Sequence, residues 1–450
     1  MKELNFYLKQ SLRWITFEAL SYQLILLGHQ IALSRICSCT LYGLIGTIFS
    51  LVYLFVTITD IGLEASISPF FCTIVKGKDQ FKRFFRTQLK PNILSVSLFF
   101  VLALTIKILL DDKIALLNQI SIPLLFVLAA LVLSENIKKT LRTAMHLAFL
   151  NQSVACIEFG TIICYTATIW LLYWTGSAIS LKIIFLPMLT TSIISNGFMV
   201  FFLHRFAKKL PKFPKKLQEV KKGRIIKNRG FNYLNQLSHM LFSSNFLVPF
   251  FAMQFGLAHA GIFKLISHIA YCTTTILRKT FGITSDALLA KTKEMTWAAK
   301  RSIFLQVTQK VHHALYGVIF FFAINYKKII AFKATGNEFV SGPVVYLFLI
   351  ICLSEIFFIA YEKFYITQEK TGRLLTFNIA TMLLTYGAIR YATNFSKSGL
   401  LLLIISIRAG MFALLSLASF YTWQIKPQWR LKKSYVAIAL GISFGFFMLF

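Results

Sequence analysis

Apolar stretches about twenty residues long, separated by short polar or basic interruptions, recur along nearly the whole chain. A helix rises about 1.5 Å per residue, so roughly 20 such residues cross the roughly 30 Å hydrocarbon layer of a bilayer. The pattern predicts spans near 12–33, 40–60, 91–110, 115–135, 151–173 and 181–203. A second series follows near 231–253, 259–281, 302–323, 340–361, 373–392 and 399–422, with a further apolar stretch at 434–450. The expected fold is an all-α polytopic membrane protein of 12 to 13 transmembrane helices. Its expected divisions are an N-terminal six-helix unit (1–204), a basic cytoplasmic linker (205–230), a C-terminal six-helix unit (231–425) and an additional hydrophobic helix (426–450).

Composition agrees, with 57% of residues hydrophobic and 14% charged. The net charge of +32 would suit a nucleic-acid binder, but the basic residues sit in short loops between apolar segments, where membrane topology accounts for them. A cytoplasmic N-terminus places Lys76, Lys82, Arg83 and Arg86, the Lys138/Lys139/Arg142 cluster and the run from Arg278 to Arg301 inside. No short signal peptide precedes the first span, which is therefore expected to stay. The linker HRFAKKLPKFPKKLQEVKKGRIIKNRG carries eleven Lys and Arg against Glu219, and Pro211 and Pro214 interrupt it, so it is expected to lie near anionic headgroups rather than inside the fold. Cys37, Cys39, Cys72, Cys156, Cys164, Cys272 and Cys352 form neither a CxxC nor a grouping with histidine, so no metal or cofactor is implied.

Six spans per half set both halves in the membrane in the same orientation. LYGLIGTIFSLVYLF in span two and HAGIFKLISHIAYCTTTI in span eight both follow a short outer turn and place a glycine at the helix start, Gly43 and Gly261. Around the first of these, Ser34, Arg35, Tyr42, Gly43, Asp60, Gly62 and Leu63 are spaced in a way that resembles Wzx-type flippases for lipid-linked oligosaccharides, within the multidrug/oligosaccharidyl-lipid/polysaccharide exporter superfamily. Gly256 and Gly261 are similar to that family's turn before span eight, whereas the turn CSCT departs from its usual Gly-Pro. The resemblance implies two six-helix bundles around a central cavity that opens alternately to either side of a bacterial inner membrane. It also implies a polyprenyl-diphosphate-linked saccharide as cargo, with membrane lipids and glycan-assembly proteins as partners.

Ionisable groups inside spans are costly and mark functional candidates. Arg408 lies about 13 Å into span twelve, near the midplane, and Lys264 and His268 share one face of span eight. Asn232, Gln236, His239 and Ser243 form a stripe on span seven, and Glu18, Tyr22 and His29 align on span one. The alternatives are hydrogen-bond glue between helices and an aqueous cationic cavity, and the charges of Arg408 and Lys264 favour the cavity. Guanidinium and ammonium groups there suit an anionic cargo. Arg408, Lys264, Arg35 and His268 are expected to hold its head group, with Asn232, Gln236 and His239 contacting sugar or phosphate. Glu18, Asp60 and Glu355 are candidates for ion coupling, while pairing with nearby bases is the alternative for these acids and for Glu158.

Three function classes follow. A flippase for an anionic lipid-linked saccharide fits the basic interior. A multidrug or metabolite antiporter would use the same scaffold, but cationic drugs call for acidic cavity residues. A glycan polymerase or ligase would need a catalytic constellation that the sequence does not present.

Overall fold

In the computed structural model, residues 2–61, 78–110, 118–210, 222–240, 243–265 and 371–391 are described, with 267–268, 271–272, 275–276, 302 and 407. Those residues are helical or in turns, with no strand among them. Among the described residues the first six helices are α1 (Lys2–Ile36), α2 (Cys39–Thr59), α3 (Lys78–Leu110), α4 (Ile122–Leu147), α5 (Asn151–Trp174) and α6 (Leu181–Lys208). Helix starts follow local chemistry. Ser38 caps α2 by accepting the Leu41 N–H at 3.2 Å, and Ser121 caps α4 by accepting from Leu124, with Pro123 in the first turn where no N–H is missed. Helices α2, α5 and α6 and the 90–109 part of α3 are long and apolar enough to cross a membrane.

Lipid is as apolar as leucine, so helices in a bilayer associate through close packing and hydrogen bonds. Here α4 lies along α6, α1 along α5, and α2 and α3 against α4. Leu33, Ile45, Leu131, Ile169, Ile184 and Phe185 are almost wholly buried in the shared core. Polar ties fix the register: Ser134 donates to Ser192 at 2.9 Å, Asn196 Nδ2 donates to the Ser134 carbonyl at 2.9 Å, and Asn136 Nδ2 donates to Thr59 Oγ1 at 2.6 Å.

The C-terminal lobe contributes α7 (Lys222–Met240), α8 (Ser244–Phe255), a helix over 257–265, and α9 (Thr371–Tyr391), which packs on α7. Phe251 and Phe263 stack with ring centroids 4.4 Å apart and tie α8 to the next helix. The lobes meet along α2. A Cβ on Gly43 would sit on the Leu257 carbonyl oxygen, and one on Gly261 would press on Gly43 and the Cys39 carbonyl. The two glycines paired in the sequence as equivalent positions of the two halves are thus packed backbone to backbone. At the other end of α2, Tyr233 Oη donates to the Ile58 carbonyl at 2.9 Å and Arg229 Nε to the Ile61 carbonyl at 2.9 Å. Ile58 lies in the last turn of α2 and Ile61 just beyond it, where helix-end carbonyls are short of intrahelical donors, and side chains of the opposite lobe donate to both.

Three expectations change in detail. Helices α6 and α7 run into the supposed linker, and Asn228 is buried while Arg229 is half-buried against Asp60 and Ile61, so the end of that segment is part of the fold. Helix α4 occupies 122–147 rather than 115–135, because Ser121 and Pro123 define its start. The Lys138/Lys139/Arg142 cluster, expected in a loop, therefore lies on a packed helix, with Lys138 buried. Span seven is broken: α7 ends at Met240, Ser243 donates to the Met240 carbonyl at 2.7 Å, and α8 starts anew.

Candidate functional site: a basic cluster between the lobes

Small residues on one side of α2, at 43, 46, 47 and 50, admit the 257–265 helix closely enough for Lys264 to cross into the N-terminal lobe. Its aliphatic stem lies on Gly46, and its Nζ donates to Ser50 Oγ at 3.0 Å and stands 5.8 Å over the Phe49 ring. Lys264 is 8% exposed, and among the described residues no acidic side chain lies within ion-pair distance of it. His268 lies one turn further on, on the same face of its helix as Lys264 and in the neighbourhood of His29 of α1. His29 is 4% exposed, lies edge-on to Tyr165 and Trp170 of α5, and both its ring nitrogens lack a hydrogen-bond partner, as does Nε2 of His268. Three basic side chains from both lobes thus converge in the interior.

Burying polar nitrogens without partners costs on the order of 1–3 kcal/mol each, and a buried ammonium without a carboxylate costs more. A fold that bears this cost at the meeting of its lobes presents donors to an anion. Sequence reading found Lys264 and His268 for the head group but left out His29 and Ser50. The signal for His29 was its place on the polar stripe of span one; nothing in the sequence pointed to Ser50, a small residue among other small residues.

A second group sits on α7. Asn378 Nδ2 of α9 donates to Asn235 Oδ1 at 3.0 Å and lies 3.2 Å from His239 Nε2. One turn away, Asn232 is 2% exposed with both amide atoms unpartnered, and the Gln236 carbonyl oxygen is unpartnered too. Arg35 stands exposed in the last turn of α1. Arg408 and Glu355 lie outside the described residues.

The acids behave differently from the cluster. Glu18 lies 3.5 Å from His146 Nε2, Asp60 3.6 Å from Lys139, and Glu158 2.9 Å from Lys138 and 3.8 Å from Arg142. Each buried acid of the N-terminal bundle named here therefore has a base on α4. Between the helices of that bundle lies a small pocket with room for about one water molecule, whose lining includes Tyr22, Phe49, Glu135, Lys138, Tyr165 and Ser192. Phe49 and Tyr165 also touch the basic cluster, so the two regions share a wall.

No protein-family model matches the sequence, and no curated protein matches it either. The fold has clear counterparts among solved structures. A eukaryotic MATE transporter superposes with a TM-score of 0.65 at 12% identity over 96% of this chain and 99% of its own. A mutant of the Vibrio cholerae MATE transporter VcmN gives 0.64 at 11% identity over 94% and 98%. An outward-facing multidrug resistance MATE family transporter of the MOP superfamily gives 0.60 at 13% identity over 95% and 96%. The chain is a multi-pass membrane protein whose fold is that of these transporters.

Proposed function

We propose that this protein is an exporter that works by alternating access between its two lobes and carries an anionic, lipid-linked cargo. The observation that carries the reading is the set of His29, Lys264 and His268, basic groups drawn from both lobes without an acid among their described neighbours. A diphosphate offers oxygens to such donors, which gain strength away from bulk water. Unpartnered Asn232 and Gln236 supply neutral donors and acceptors of the kind that read sugar hydroxyls. In this proposal the cargo is a polyprenyl-diphosphate-linked saccharide, the head group passing between the lobes while the lipid stays in the bilayer. An anion moving outward is also driven by an inside-negative potential, by about 2.3 kcal/mol per charge per 100 mV.

A second reading, a multidrug or metabolite antiporter, is favoured by the structural neighbours, one of which is described as a multidrug resistance transporter. Glu135 beside Tyr22, Phe49 and Tyr165 is the acidic and aromatic company that a cation favours. On likeness alone this second reading leads; the chemistry between the lobes favours the first. Reconstituted vesicles separate them. Translocation of a fluorescent polyprenyl-diphosphate disaccharide, reduced at least tenfold by Lys264→Met, is expected under the first. Efflux of a cationic dye with no movement of the diphosphate lipid would replace it by the second.

A further inference from the structure

The end of α2, at 58–61, is held from two sides and in two different ways. The N-terminal bundle anchors it through buried groups: Asn136 Nδ2 donates to Thr59 Oγ1 at 2.6 Å, Lys139 lies 3.6 Å from the Asp60 carboxylate, and Ser95 of α3 donates to the Thr59 carbonyl at 2.7 Å. Asp60 is wholly buried there. The C-terminal lobe grips the same short segment at main-chain oxygens, Tyr233 Oη on the Ile58 carbonyl and Arg229 Nε on the Ile61 carbonyl, each at 2.9 Å. Tyr233 and Arg229 are one turn apart on α7, so both donors come from one face. Ile61 has φ 48°, the left-handed region that a β-branched residue enters only at a cost. A backbone of that kind persists where its surroundings impose it, and it is this residue that Arg229 bonds.

The two attachments differ in how readily they break. A buried carboxylate stripped of its base is left alone in the interior, so the hold of α4 on Asp60 is costly to undo. A hydrogen bond to a helix-end carbonyl is replaced by one to water when it opens, and each shifts an equilibrium by only about fivefold or somewhat more. Two of them are strong enough to set which arrangement of the lobes prevails and weak enough for a ligand to reverse it.

We propose that Tyr233 and Arg229 form a releasable clasp: the C-terminal lobe holds the end of α2 by its backbone and lets go of it when the lobes part there, while α3 and α4 keep that end with the N-terminal bundle. The clasp rests on the alternating-access part of the reading above and is indifferent to the cargo.

The test is double electron–electron resonance on the full-length protein in nanodiscs. Nitroxide-bearing non-canonical residues replace the exposed Lys208, at the end of α6, and Lys227 of α7, leaving the native cysteines in place. Wild type is expected to show a dominant short distance. Arg229→Met/Tyr233→Phe keeps the side-chain bulk and removes both donors, and is expected to raise a longer-distance population at least tenfold; Arg229→Met alone is expected to raise it about fivefold. Glutamine carries its amide nitrogen as many bonds from the backbone as arginine carries Nε, so Arg229→Gln keeps a donor without the charge and is expected to stay near wild type. A longer population present in wild type and unchanged in the double variant overturns the clasp and leaves alternating access standing. A single distance in every variant overturns both. Equal opening by Arg229→Gln and Arg229→Met also overturns the clasp, because the charge and not the bond to the carbonyl would then be holding the lobes.

Discussion

Two sets of buried ionisable side chains sit within a few helices of each other and are built on opposite plans. Inside the N-terminal bundle, Glu18, Asp60 and Glu158 each face a base of α4 within 4.0 Å, and Glu135 accepts a hydrogen bond from Ser192. Between the lobes, His29, Lys264 and His268 gather without such cancellation, and Lys264 has a serine hydroxyl for its partner. The contrast separates charge that maintains a bundle from charge held ready for something else. A balanced network loses its sense when one member is removed, since the partner is left buried and alone. An unbalanced base relieves a penalty when it is removed, and what is lost is its business with a ligand.

Substitutions at the two regions should therefore diverge. The largest effect on stability is expected for Glu158→Ala, which strands Lys138 and Arg142 and should cost about 3–5 kcal/mol, read as a fall in the thermal midpoint. Next comes Gly43→Ala, whose added Cβ would meet the Leu257 carbonyl; overpacking of this kind costs about 1–3 kcal/mol and should also slow transport by parting the lobes. Tyr233→Phe removes the hydrogen bond to the Ile58 carbonyl, and should cost about 1 kcal/mol while making the C-terminal end of α2 exchange amide hydrogens faster. The smallest change is expected for Lys264→Met, which keeps the stem and drops the ammonium: stability within about 1 kcal/mol of wild type, or above it. Equal destabilisation by Lys264→Met and Glu158→Ala would abolish the distinction between the regions.

Much of the fold could be read from periodicity. Helices α2, α5 and α6 begin within a residue of the expected spans, because each is apolar almost throughout and bounded by turn residues. The second half of α4 could not be read that way. Asn136, Lys138 and Lys139 look like a cytoplasmic loop in sequence, and the acids Glu18, Asp60 and Glu158 and the side chain of Thr59 make a helix there affordable. For the site, Lys264 and His268 announced themselves as charge and polarity in an apolar run. Ser50 and Phe49 did not, since their part comes from the close crossing at Gly43 and Gly261, a contact between residues far apart in the chain. Pairing of Glu158 was among the alternatives weighed from sequence, but its partner on a helix some twenty residues earlier was not named.

The most direct measurement is binding of inorganic pyrophosphate to the purified protein in nanodiscs, followed as a shift in the thermal midpoint beside that of a lipophilic organic cation. The basic cluster predicts stabilisation of wild type by pyrophosphate, and loss of that response in Lys264→Met and in His29→Ala/His268→Ala. Stabilisation by the organic cation, with pyrophosphate inert or equally effective on the Lys264→Met protein, would contradict it.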